Sequence, residues 1–241
     1  MGFFHKAALS DTLCVVDAAA YSRYDFINRN RIKTADGPLW LTVPVHVLGP
    51  QRRIRDLRIA GTSWQRKHVA AIRQSYGKSP YFNQYAIELE SLLLKKRAFL
   101  CDLNNDLLRF FLRILAIPVK MVASSDYHLT GKGSEFVLDM CRKLGAATFI
   151  FGSHGRDYAD VAAFRGAGVE VVFQEYHHPV YPQLHGEFLP GLSVIDLVFN
   201  AGPRSLEIIF SGNLTAVRPG EIGGGKSQEN HPLAAHLGIK D

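Results

Sequence analysis

Five stretches of this chain hold residue types that could do chemistry. The segment Asn28-Arg29-Asn30-Arg31-Ile32-Lys33-Thr34 packs two amides and three cations into seven residues. Amides and guanidinium forks present several donors in fixed directions, which suits phosphate or carboxylate recognition. An exposed polar turn ahead of Asp36-Gly37 accounts for the same residues. Ser124-Ser125-Asp126 follows an apolar run, so its hydroxyls and carboxylate would fall at a strand end, with a helix cap or Asx turn as the plainer alternative. In Gly152-Ser153-His154-Gly155-Arg156-Asp157-Tyr158 the glycines would let backbone approach a ligand, and the next helix start would offer N–H groups beside Arg156. The spacing fits neither a Walker loop nor the dinucleotide fingerprint, and a strand-to-helix turn capped by Asp157 competes with it.

His177-His178-Pro179-Val180-Tyr181-Pro182-Gln183, with His185 and Glu187 beyond, could supply a general base or a metal ligand on a stretch stiffened by prolines. No pair there has an established metal spacing, so structural histidines are the competing reading and no metal is assigned. Asp196 and Asn200 stand four apart in an apolar helix, which puts them on one face. A carboxylate buried there needs a cation or donors, for which Arg29 or Arg156 would serve.

The elements that must position these groups follow from hydrophobic periodicity. The first residues read as a helix, and Leu13 to Val16 as a short buried strand ending at Asp17. Leu39 to Val47 reads as a strand that Pro44 makes an edge or bulged one. Three helices follow: one capped by Ser63 with Trp64, His68, Ala71, Ile72 and Ser75 on one side, one over about Tyr81 to Lys96, and one over about Leu103 to Leu115. From Pro118 the pattern alternates: strand Val119 to Ala123, a helix capped by Ser134 and closed by Gly145, strand Thr148 to Phe151, a helix from about Asp157 to Arg165, and strand Val169 to Phe173. Alternation of this kind predicts an α/β fold in which these three strands and Leu13 to Val16 share one largely parallel sheet with ligands beyond the strand carboxyl ends.

Composition limits the function classes. The chain has 241 residues, 47% of them hydrophobic and 21% charged, enough apolar material for one sizeable core. Apolar runs near Leu107 to Val122 and Leu192 to Phe199 are interrupted by Arg109, Arg113, Pro118 and Asp196, and Met1 to Lys6 lacks the layout of a secretory signal. A cytoplasmic protein is expected. Cys14, Cys101 and Cys141 are widely spaced and read as reduced core thiols. The net charge of +6 comes without any standard nucleic-acid module, and attraction for an anionic small molecule uses it as well.

Read together, Asn28 to Thr34, Trp40 to Pro44, Lys120 to Asp126, Gly155 to Tyr158, and His178-Pro179-Val180-Tyr181-Pro182-Gln183 with Gly186-Glu187-Phe188, Pro190, Leu192-Ser193, Ile195-Asp196-Leu197 and Phe199-Asn200 resemble the WbqC-like family of bacterial proteins. The resemblance covers about Gly2 to Pro203. It implies a Rossmann-like α/β domain over residues 1–210, while residues 211–241, with three consecutive glycines at Gly223 to Gly225 and no clear periodicity, read from composition as a flexible tail. It also implies a role in cell-surface polysaccharide or related small-molecule biosynthesis, through transfer of glycine or another amino acid onto a sugar amine. The glycine turn with Arg156-Asp157-Tyr158 looks like a feature of nucleotidyltransferases and related synthetases, an analogy at the level of fold.

On this resemblance His178, Asp126 and Asp157 are the catalytic candidates. Asn28, Arg29, Asn30, Arg31, Lys33, Ser124, Ser125, Gly155, Arg156, Tyr158, Tyr181, Gln183, Asp196 and Asn200 are the substrate-binding ones. The expected ligand is an anionic or polar small molecule, with a nucleotide sugar as one candidate, and no cofactor is specified. Asn28, Arg29, Ser125, Arg156, Asp157, His178, Tyr181 and Asp196 are expected to line one cleft. Relatives usually open with a strand and a histidine-glutamine-proline segment ahead of the Gly-Phe-Phe that stands here at Gly2 to Phe4, so an open edge is expected beside Leu13 to Val16.

Overall fold

Apolar spacing of three and four residues accounts for most of the helices, and short apolar runs for most of the strands. The computed structural model describes residues 1–23, 25–47, 52–211, 213 and 217–219. Helix α1 (Gly2–Ala8) buries Phe4, His5, Ala7 and Ala8 and leads to β1 (Thr12–Val15). A hairpin follows, β2 (Arg29–Thr34) antiparallel to β3 (Gly37–Thr42), with Arg31 opposite Trp40. The polar segment expected as a site or a turn is thus a strand, and the turn is confined to the residues around Gly37, whose φ of +105° excludes most side chains. Pro44 separates β3 from β4 (Val45–His46), which pairs antiparallel with β5 (Arg58–Ile59).

Three helices build the middle of the chain: α2 (Ser63–Tyr76), α3 (Phe82–Leu94) and α4 (Leu100–Ile114). Thr62, not Ser63, is the residue before α2, and neither hydroxyl caps it. Beyond them come β6 (Lys120–Ala123), α5 (Ser134–Leu144), β7 (Thr148–Phe151), α6 (Val161–Gly166), β8 (Glu170–Gln174), α7 (Val194–Ala201), α8 (Ser205–Phe210) and β9 (Val217–Pro219). Gly145 ends α5 in the left-handed region at φ +65°. Two caps differ from expectation. Ser134 is already helical and spends its hydroxyl accepting from the Asp160 N–H at 2.8 Å, while Asp160 rather than Asp157 caps the next helix, accepting from the Ala163 N–H at 3.0 Å.

The fold is mixed α/β, and the single parallel sheet is corrected to two separate parallel pairs. β1 pairs with β6, Leu13 opposite Met121, and β7 with β8, Ile150 opposite Val172; β9 extends the second pair antiparallel. No ladder joins the pairs among the described residues. Each pair belongs to a different apolar core, which is the physical reason. The larger core draws Phe4, Ile32, Tyr76, Leu103, Leu197 and Ile209 from the helices and the hairpin, with Leu13 and Met121 packed on it. The smaller is formed by Leu138, Cys141, Phe151, Phe164, Val169 and Val171. Runs of four apolar residues announce burial but not the neighbour they are buried against.

The edge of β1 away from β6 has no ladder partner among the described residues. Most of the expected tail lies outside the described residues. Of the part described, Asn213 is buried, its amide holding the His177 backbone on both sides, and Val217–Pro219 pairs with β8. Among the described residues no helix is long and apolar enough to cross a membrane.

Candidate functional site

The hairpin positions the cations. Arg29, Arg31 and Lys33 alternate along β2 and so project to one side of it. Arg29 and Arg31 lie over the Trp40 ring, 4.3 and 5.5 Å from its centroid, so one aromatic ring holds both guanidinium groups by cation–π attraction. The outer edge of β2 is tied to the rest of the protein: the Arg31 carbonyl accepts from the Ser193 N–H at 2.8 Å, and the Lys33 N–H donates to the Tyr76 hydroxyl at 3.0 Å.

Between this hairpin and helices α1 to α4 lies a cavity of about 610 Å³, bounded on its remaining side by Gly191 to Ile195 at the start of α7. Asn28, Arg29 and Asn30 line it together with Ser193, Asn104 and His68, and the rest of its wall is apolar. Asn28 is committed to the fold, accepting from the Tyr21 hydroxyl and donating to the Val43 carbonyl. Asn30 accepts from the Arg31 N–H and is exposed.

Behind the Gly191 to Ile195 wall stands a buried polar cluster. Asp196 is inaccessible to solvent and takes hydrogen bonds from Tyr76 at 2.9 Å and Tyr181 at 2.8 Å. Its expected partners, Arg29 and Arg156, are replaced by these two phenols: Arg29 lies over Trp40 and Arg156 pairs with Glu175, while Lys33, also on β2, acts on Asp196 by its charge. Burial pushes the Asp196 carboxyl above the usual carboxylate range, against the pull of Tyr181, Tyr76 and Lys33. Both phenols are raised as well, first by burial and then by the Asp196 charge. Lys33, buried, donates to Gln183 Oε1 and to the carbonyls of Gly186 and Glu187, so it clamps the loop after Tyr181 instead of meeting solvent. Gln183 closes the same loop through Leu189. Asn200 donates to the Asp196 carbonyl, a bond within α7.

His178 sits beside this cluster. Its Nε2 faces the Gly191 N–H at 3.3 Å, its Nδ1 faces the Pro179 carbonyl at 3.1 Å, and burial lowers its pKa. Gly191 carries the contact onward, its carbonyl accepting from Arg31 at 3.1 Å.

The other predicted residues lie apart from the cavity. Ser124 and Ser125 follow β6, where Asp17 at the end of β1 receives the Ser124 hydroxyl at 2.9 Å and the Ser125 N–H and hydroxyl at 2.9 and 2.7 Å. Asp126 beside them is exposed. Gly155 leaves no space for a ligand, since an added Cβ would stand 2.4 Å from the Phe151 side chain. Arg156 pairs with Glu175 at 2.8 Å and covers the Phe173 ring at 4.7 Å, Asp157 faces His154 at 3.7 Å, and exposed Tyr158 meets the edge of Phe151. Of the eight residues expected in one cleft, Asn28 and Arg29 line the cavity, His178, Tyr181 and Asp196 back its wall, and Ser125, Arg156 and Asp157 belong elsewhere.

The Asp17 knot predicts its own pH dependence. Burial opposes its charge, but the bonds from Ser125 and Ser124 outweigh that and hold the carboxyl below its ordinary value of 3.8. This contribution is present above about pH 4 and fades as pH falls through the lowered folded value. Asp17→Ala is expected to cost about 1–2 kcal/mol at pH 7 and less at pH 3. Urea denaturation of both proteins at the two pH values checks this, and an equal gap at both would remove the charge from the account.

A family model, the WbqC-like protein family, matches residues 1–208. The chain belongs to the WbqC-like family. It is also 33% identical over 207 residues to the uncharacterized protein Rv1507c of Mycobacterium tuberculosis, a match covering 85% of this chain and 90% of that one. No solved structure matches it.

In this WbqC-like chain three cavity residues escaped the sequence reading as site candidates: His68, Asn104 and Ser193. His68 stands four residues after Trp64 on the buried face of α2, their rings 5.1 Å apart, and was legible only as core. Burial lowers its pKa, against a hydrogen bond to the Thr42 backbone. Its signal was a polar residue on an otherwise apolar face. Burial pushes each of the three thiols up to about 11.

Proposed function

We propose that the protein binds a polar or anionic small molecule in the cavity beneath the β2–β3 hairpin and acts as a transferase of bacterial cell-surface polysaccharide or related small-molecule biosynthesis. In this reading the amine of an amino sugar, free or nucleotide-linked, attacks the carbonyl of an activated amino acid such as glycine, forming the amide as the bond to the activating group breaks and that group leaves. The observation that carries the binding half is Arg29, fixed on Trp40 at the rim of an otherwise apolar cavity. A cation beside low-dielectric walls attracts an anion more strongly than the same cation in water. Family membership carries the reaction half. An attacking amine must lose a proton, and His68, which lines the cavity and whose pKa burial lowers, is the group we assign to accept it. The crossover from β7 through α6 to its parallel partner β8 is compatible with a Rossmann-like ancestry. In such folds ligands sit beyond the strand carboxyl ends, yet Ser124 and Ser125 there are occupied by Asp17.

A second reading, a non-catalytic binder within a biosynthetic assembly, is favoured by one observation: none of His178, Asp126 and Asp157 lines the cavity. Calorimetric titration with amino sugars, nucleotide sugars and amino acids, followed by mass spectrometry of the mixtures, separates the two. A transferase yields a condensed product that His68→Gln slows; a binder saturates without product. Arg29→Gln is expected to weaken an anionic ligand about tenfold or more, the size of a lost hydrogen bond to a charged group. An unchanged affinity would move the site away from the hairpin.

A further inference from the structure

The walls of the cavity are more specific than its rim. Behind Arg29 and Asn30 the lining is Phe4, Leu89, Leu93, Leu107, Leu108 and Phe111, supplied by α1, α3 and α4, and Arg29 carries the one charged side chain in the lining among the described residues. The amides near this depth already serve the fold: Asn28 holds Tyr21 and Val43, and Asn104 donates to the Ile27 carbonyl at 2.9 Å. A sugar or a nucleotide lodged there would lose water from several hydroxyls and gain few partners, which is unfavourable for each group left unmet. An aliphatic chain loses nothing of the kind and gains from leaving water.

We infer that the deep part of the cavity takes a single aliphatic chain, on a molecule whose carboxylate or phosphate head lies at Arg29. The inference rests on the reading of this cavity as the binding site and names the class of ligand that fills it. The volume of about 610 Å³ holds on the order of twenty water-sized groups, room for a head group and a chain of about ten carbons.

The test is calorimetry on the full chain with two series, saturated carboxylates and alkyl phosphates, each from six to fourteen carbons. Affinity is expected to rise about fourfold for each added methylene up to about ten carbons and then level off. The series that binds more tightly at equal length identifies the head. Arg29→Gln should weaken every member by a common factor, and Leu107→Trp should move the levelling point to shorter chains. The wild-type series decides the matter alone if the tryptophan variant does not fold. Affinities that do not grow with length overturn the inference; amino sugars binding in an Arg29-dependent way would then leave the site reading standing. Chain binding without amino-sugar binding keeps the inference and removes the proposed acceptor. Binding by no probe overturns both.

Discussion

Asp196→Ala is expected to lower stability by about 2–4 kcal/mol, because two phenol hydroxyls buried without solvent lose their acceptor together. The loss reaches the hairpin as well, since the Tyr76 hydroxyl that donates to Asp196 also receives the Lys33 N–H. For a chain of this size the melting temperature should fall by roughly 5–15 °C. The milder Asp196→Asn keeps the volume and removes the titration. Burial raises the Asp196 carboxyl above its ordinary 3.8, so the folded protein holds this proton more tightly than the unfolded chain does. Its contribution is greatest below about pH 4 and is lost as pH rises through the folded value. The wild type should therefore gain on Asp196→Asn as the solution is acidified from neutrality. Urea midpoints of both at several pH values measure this, and a gap that widens in the opposite direction would sink the assignment. Asp17 runs the other way, so the two carboxylates can be told apart by sign.

Phe164→Ala is expected to cost about 3–5 kcal/mol, the range for deleting a fully buried aromatic side chain. Phe164 contacts Phe149 and Phe151 with ring centroids 6.4 and 5.5 Å away, at the centre of the smaller core. No ladder ties that core's strands to β1 and β6 among the described residues. The damage should therefore fall first on β7 and β8. Amide hydrogen exchange in the variant should show faster exchange across Thr148–Phe151 and Glu170–Gln174 than across Ser63–Tyr76 and Phe82–Leu94. Uniform acceleration over all four would mean that the two cores unfold as one unit.

Local elements were legible in the sequence where one residue type decided them. Strand β7 was read to the residue, and Gly145 marked the end of α5, because a turn into the left-handed region selects glycine. Partnerships were not legible. The four apolar runs expected in one sheet are alike in length and composition, and nothing within a run of four names its neighbour. Burial of Asp196 followed from its place in an apolar helix, whereas its partners lie 15 and 120 residues away on segments chosen by packing. Gly155 misled for a physical reason: a glycine that lets a ligand approach and one that lets Phe151 approach leave the same letter. His68 was hidden by the opposite problem, a polar residue whose neighbours on the helix all spoke for the core.

The two bonds on the outer edge of β2 bear on self-association. A two-stranded hairpin ordinarily leaves a row of free N–H and C=O groups that a second chain can add to. Here the Arg31 carbonyl is taken by Ser193 and the Lys33 N–H by Tyr76, so the cation-bearing strand offers no template at those positions. Growth by strand addition is blocked at these positions of β2, where a second chain would find the carbonyl and the N–H already paired.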